Sequence, residues 1–124
     1  MKETLTLDFC DITIYSNCIV VVMKEGVSIV PSHNTVLVDI VNTYFGNSPF
    51  VYISHRLYSY SVDPKIYYET VKIQNLKGFA VVSNNFMAKT NAEIEQQFFS
   101  KPFKVFNDLE SAFTWANELT EKNK

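Results

Sequence analysis

Glycine is scarce in this chain of 124 residues, with three, Gly26, Gly46 and Gly78, set far apart. That spacing leaves no G-x-G-x-x-G and no P-loop, which speaks against a dinucleotide or nucleoside-triphosphate enzyme. Arginine is scarcer still: Arg56 stands alone, the lysines are scattered, and the net charge is −2. Nucleic-acid binding needs a concentrated basic surface, and none is visible. Cys10 and Cys18 are the only cysteines and form no C-x-x-C pair. The first residues carry no apolar secretory stretch. The expectation is reduced thiols in a cytosolic protein, with a disulfide as the alternative. The longest clearly apolar run, Ile19 to Met23, is far too short to cross a bilayer. His33 and His55 could be drawn with Asp39 or Asp63 as a metal or acid–base site, but no H-E-x-x-H or similar spacing supports it. No metal, cofactor or catalytic group is expected.

What is present reads as one domain over residues 1–124, since 47% hydrophobic and 19% charged residues are ordinary for a globular chain. Leu5, Leu7 and Phe9 alternate with polar residues, and Ile12 and Ile14 continue that strand past a bend. Ser16-Asn17 supplies a turn. Ile19 to Met23 has the unbroken apolar character of a strand covered on both faces. These two strands predict an antiparallel hairpin. Pro31-Ser32 opens a first helix capped by Ser32 or Asn34 and ended by Gly46-Asn47. Its apolar arc is broad: Val36, Leu37, Val38, Ile40, Val41, Tyr44 and Phe45. Either neighbouring elements cover that arc or a second copy of the chain does, making a homodimer.

Phe50 to Ser54 predicts a third strand. Asp63-Pro64 predicts a capped second helix, and Gly78 to Val82 a fourth strand. A third helix is expected from about Met87 to Phe99, with Met87, Asn91, Ile94 and Phe98 on its inner stripe. After Pro102, Phe103 to Phe106 forms the last strand. Asn107 and Glu110 have the spacing of a capping box on a final helix, which buries Leu109, Ala112, Phe113, Trp115, Ala116 and Leu119. The order β-β-α-β-α-β-α-β-α predicts an α/β fold: a mixed, mostly parallel five-stranded sheet with four helices.

That order is similar to the STAS domain of bacterial anti-sigma-factor antagonists. The C-terminal residues Lys101, Pro102, Val105, Phe106, Asp108, Glu110, Ala112 and Trp115, with the Gly78–Val82 strand, resemble the SpoIIAA-like (STAS/SEC14-like) group of small bacterial proteins. The resemblance implies a cytoplasmic, non-enzymatic regulatory or protein-interaction module. In phosphorylated STAS domains a serine follows the third strand in a D-S-S-G-like turn. Here Ser59 and Ser61 fall in that region, but the glycine is absent and Tyr58 and Tyr60 flank Ser59. Phosphorylation is therefore an expectation for Ser61 first and Ser59 second.

The candidate surface runs from His55 to Asp63 and comprises His55, Arg56, Tyr58, Ser59, Tyr60, Ser61 and Asp63. Loops at the carboxyl ends of strands are where open α/β sheets bind ligands. A helix start beside the only arginine could hold an anion. On that reading the protein binds a small anionic or lipid-like ligand in a pocket lined by Tyr58, Tyr60 and Tyr67. The plainer reading is a solvated loop whose Ser61 or Asp63 caps the second helix. An enzyme using His55 or Cys10 is a third reading, and it requires a carboxylate or cation beside either group.

Overall fold

The computed structural model describes residues 3–57, 61–62 and 66–121. Its main sheet has six strands rather than five. Leu5 and Ile12 belong to different strands, because the chain reverses at Asp8-Phe9, where the Leu7 N–H donates to the Cys10 carbonyl at 2.8 Å. The result is a meander of β1 (Glu3–Thr6), β2 (Cys10–Ile14) and β3 (Cys18–Met23). The expected single strand past a bend is thus a hairpin. Both halves keep the same alternation, so hydrophobic period alone did not separate a bend from a reversal.

Two-residue β4 (Ser28–Ile29) leads into α1 (Pro31–Phe45), and β5 (Phe50–His55) follows. Then come β6 (Ser61–Val62), α2 (Ile66–Thr70), β7 (Leu76–Val82), α3 (Phe86–Gln96), β8 (Phe103–Phe106) and α4 (Leu109–Glu121). The main sheet runs β1-β2-β3-β5-β7-β8, and β4 pairs with β6 in a separate two-stranded sheet. From β3 to β8 the pairing is parallel; the β1–β2–β3 side is antiparallel. Three helices are of full length, while α2 spans five residues. The expected start of that helix, Asp63-Pro64, lies outside the described residues.

Alternation along each strand sorts the side chains onto two faces. One face carries Cys10, Ile12, Ile19, Val21, Phe50, Phe79, Val81 and Phe103 and packs under α1, α2 and α3. Phe79 is its hub: its ring lies 4.7 Å from that of Tyr52, 5.1 Å from Phe103 and 5.5 Å from both Tyr67 and Phe99. The other face carries Cys18, Val20, Val51, Ile53, Ala80 and Val82, and α4 alone covers it with Ala112 and Ala116. Where α4 does not reach, that face turns polar, with Thr4, Thr6 and Asp11 exposed.

The α4 arc is as its pattern predicts, and Phe106 packs on Trp115 at 5.5 Å. Its cap is shifted by one residue. Asp108 Oδ1 accepts from the Ser111 N–H at 2.7 Å, and Asn107 instead accepts from Lys89 Nζ. A carboxylate at a helix start accepts more strongly than an amide, and it also complements the helix dipole. On α1 neither Ser32 nor Asn34 is the cap. Val30 holds that position, and its N–H donates to His33 Nδ1 at 3.2 Å.

Neighbours cover much of the broad α1 arc. Leu37, Val41 and Phe45 are buried, Ile40 packs against the core, His33 lies 4.4 Å from the Phe9 ring, and Tyr44 donates to Glu3. Val36 and Tyr44 keep 40% and 38% of their surface exposed. The α3 stripe differs from expectation. Ala92, Glu95 and Phe99 face inward and Phe98 is half-buried, while Ile94 is 52% exposed and Asn91 lies in solvent. The Met87 side chain lies outside the described ones.

Candidate functional site

Strand β5 ends in Ser54-His55, and Arg56 and Leu57 follow. Successive side chains alternate, so His55 continues the face of Val51 and Ile53 beneath α4, whereas Ser54 and Arg56 point to the opposite side. The structure therefore separates His55 from Arg56. Burial lowers the His55 pKa from its ordinary value, because taking the imidazolium out of water disfavours the charged form.

Arg56 is nine-tenths buried. Its Nη1 and Nη2 donate to the two carboxylate oxygens of Glu95 at 2.7 and 2.5 Å, and its Nε donates to Ser54 Oγ at 3.2 Å. Tyr67 donates its hydroxyl to the same carboxylate. The side chains of Arg56 and Glu95 keep 6% and 7% of their surface. The fork expected to hold an anion holds Glu95 of this chain. The pair joins the end of β5 to α3, and Tyr67 brings in α2. Among the described residues no buried side-chain nitrogen or oxygen lacks a partner. A cavity of about 30 Å³ adjoins the network, bordered by Ile29, Asn34, Ser54, Arg56, Tyr67 and Thr70. That is room for about one water.

Sequence reasoning missed Glu95. The signal was there: Ala92 and Glu95 share one face of α3 at i and i+3, and Phe99 just past its end is buried on the same side. A carboxylate on such a face calls for a charged or hydrogen-bonding partner, and here the fold supplies Arg56 and Tyr67.

The remaining candidates divide. Tyr58, Ser59, Tyr60 and Asp63 lie outside the described residues. The backbone of Ser61 belongs to β6, where it pairs with Ser28, as Val62 pairs with Ile29. This two-stranded sheet stands at the carboxyl ends of β3 and β5, whose chains lead into β4 and β6. Two apolar side chains are exposed at the same end, Val30 at 40% and Leu57 at 58%.

The cysteines are fully buried free thiols on opposite sheet faces, Cys10 with the α1–α3 side and Cys18 with the α4 side. No disulfide joins them. Burial pushes both thiols up to about 12, with Asp11 adding to the effect at Cys10. Both are therefore protonated and un-nucleophilic near neutral pH. Among the described residues no group of three His, Cys, Asp or Glu side chains could hold a metal ion. Nor is any helix of the described residues long and apolar enough to cross a membrane.

No family model matches the sequence, and no curated protein matches it. The fold is similar to the crystal structure of an uncharacterized protein of the DUF3478 family, with a SpoIIAA-like fold, from Shewanella loihica PV-4. The two superpose with a TM-score of 0.55 at 10% identity, over 94% of this chain and 92% of that chain. The chain has a SpoIIAA-like fold. At that identity the likeness concerns architecture.

Proposed function

We propose that the chain is a non-enzymatic, cytoplasmic STAS-like module that works by contact with another protein. The observation that carries this reading is the carboxyl-end surface. The β4–β6 pair holds Ser61 there, at the end of the sheet where Val30 and Leu57 are exposed. The SpoIIAA-like fold supports it, because that loop is the regulatory position of the domains the sequence resembles. The buried Arg56–Glu95 pair supports it as well. It fixes the residue preceding Leu57, so the exposed apolar side chain is presented from a rigid base rather than a loose loop. On this reading Ser61, and after it Ser59, is the position at which phosphorylation would change the contact, by adding charge to an apolar rim.

The test is affinity capture from the source cells with the wild-type chain, Leu57→Glu and Ser61→Asp, quantified by mass spectrometry. A partner enriched by the wild type and lost with Leu57→Glu, at unchanged melting temperature, supports the reading. Identical capture by all three chains would sink it.

A further inference from the structure

A groove of about 630 Å³ runs along α1, on the side away from the Tyr44–Glu3 contact. Asn34, Val38 and Asn42 line it at four-residue spacing, so they form one stripe of the helix. The facing wall is the turn from Lys72 to Asn75, between α2 and β7. Hydrogen bonds to backbone carbonyls hold that wall in place. Asn75 Nδ2 donates to the carbonyls of Gly46 and Ser48 at 3.0 and 2.8 Å. Lys101 Nζ donates to the carbonyls of Ile73 and of Leu76, the latter at 2.9 Å. Walls set before binding spare a ligand much of the ordering cost.

The lining is rich in carboxamides. Asn42 and Gln74 are exposed, while Asn34 keeps only 7% of its surface. Asn34 Oδ1 accepts from the Thr70 hydroxyl at 3.1 Å. The residue borders both the groove and the 30 Å³ cavity beneath it. Asp39 and Lys72 contribute one charge of each sign, which cancel. Val38 and Ile73, both half-buried, add an apolar strip.

We propose that this groove binds a neutral, hydroxyl-rich small molecule of the saccharide class. A carboxamide both donates and accepts, which is what neighbouring hydroxyls require. Balanced charge gives no net attraction to an anion or a cation. The volume falls within the roughly 300–1,000 Å³ typical of small-molecule sites. The groove is separate from the carboxyl-end surface, so this proposal does not depend on the protein-contact reading.

The test is a titration of the ¹⁵N-labelled chain with glucose, N-acetylglucosamine and trehalose, each to tens of millimolar. Sodium phosphate and glutamate serve as charged controls. The expected result is saturable shifts in amides 34–47 and 72–75 with at least one sugar. Asn42→Trp, which fills the groove from an exposed position, should weaken that binding at least tenfold, as should Gln74→Ala. Three results would each overturn the proposal: no saturable shift with any of the sugars, equal affinity in both variants, or saturation by phosphate or glutamate instead.

Discussion

Replacing Glu95 by alanine would take away the carboxylate to which both Nη atoms of the buried Arg56 guanidinium donate. In the wild type the two charged side chains are 6% and 7% exposed and joined by two parallel bonds. Removing one member of so buried a pair costs about 3–5 kcal/mol. A chain of this length has roughly 6–19 kcal/mol of stability, so Glu95→Ala should still fold. At about 4 °C per kcal/mol the melting temperature should fall by about 12–20 °C. Urea denaturation at neutral pH would give the free energy directly. The triple variant Arg56→Met, Glu95→Leu, Tyr67→Phe removes the pair and the hydroxyl that Glu95 satisfies. It should regain most of the loss, because apolar replacement of a buried pair is often neutral or stabilising. A Glu95→Ala loss below about 1 kcal/mol would refute the reasoning, since it is the cost of a surface pair. So would a triple variant no more stable than Glu95→Ala.

Gly78→Ala places a Cβ 2.7 Å from Leu119 Cδ1 and 2.9 Å from Trp115 Cη2, so those two side chains must give way and repack. A loss of about 1–3 kcal/mol is expected in the same urea assay. Cys10 and Cys18, both pushed up to about 12, should resist iodoacetamide at pH 8 in the native chain and react fully in denaturant. His55 has a lowered pKa in the fold, so below its ordinary value of 6.5 the unfolded chain binds more protons than the native one. Its contribution is present above that pH and is lost as pH falls through it. The slope of stability against pH between about 7 and 5 should therefore flatten in His55→Gln.

The order of strands and helices was legible because each element carried its own period and end signals. Phe103–Phe106 followed by the arc of α4 is the clearest case, with Trp115 packing on Phe106 as the pattern requires. A bend before Ile12 was legible, but that it is a full reversal at Asp8-Phe9 was not, because no glycine or proline marks it and no positive backbone φ is used there. That residues after Phe50–Ser54 leave the carboxyl end of a strand was legible, but the partner of Arg56 was not. Its partner is 39 residues away on α3, and only the packing of α3 on the sheet brings them together. Ile94 drew attention as an apolar residue, yet it faces water because Glu95 turns inward to the arginine. The α1 groove was equally invisible, since its second wall is a turn positioned by Lys101 and Asn75 through backbone carbonyls.

The carboxyl-end surface can be tested without disturbing the fold by placing a photo-crosslinking amino acid at Leu57, and in a control chain at Ile94. Both side chains are more than half exposed, and they belong to different parts of the fold. Irradiated in the source cells, the Leu57 chain should form a discrete adduct with another protein, and the Ile94 chain should not. No adduct from Leu57, or the same adducts from both positions, would contradict the account.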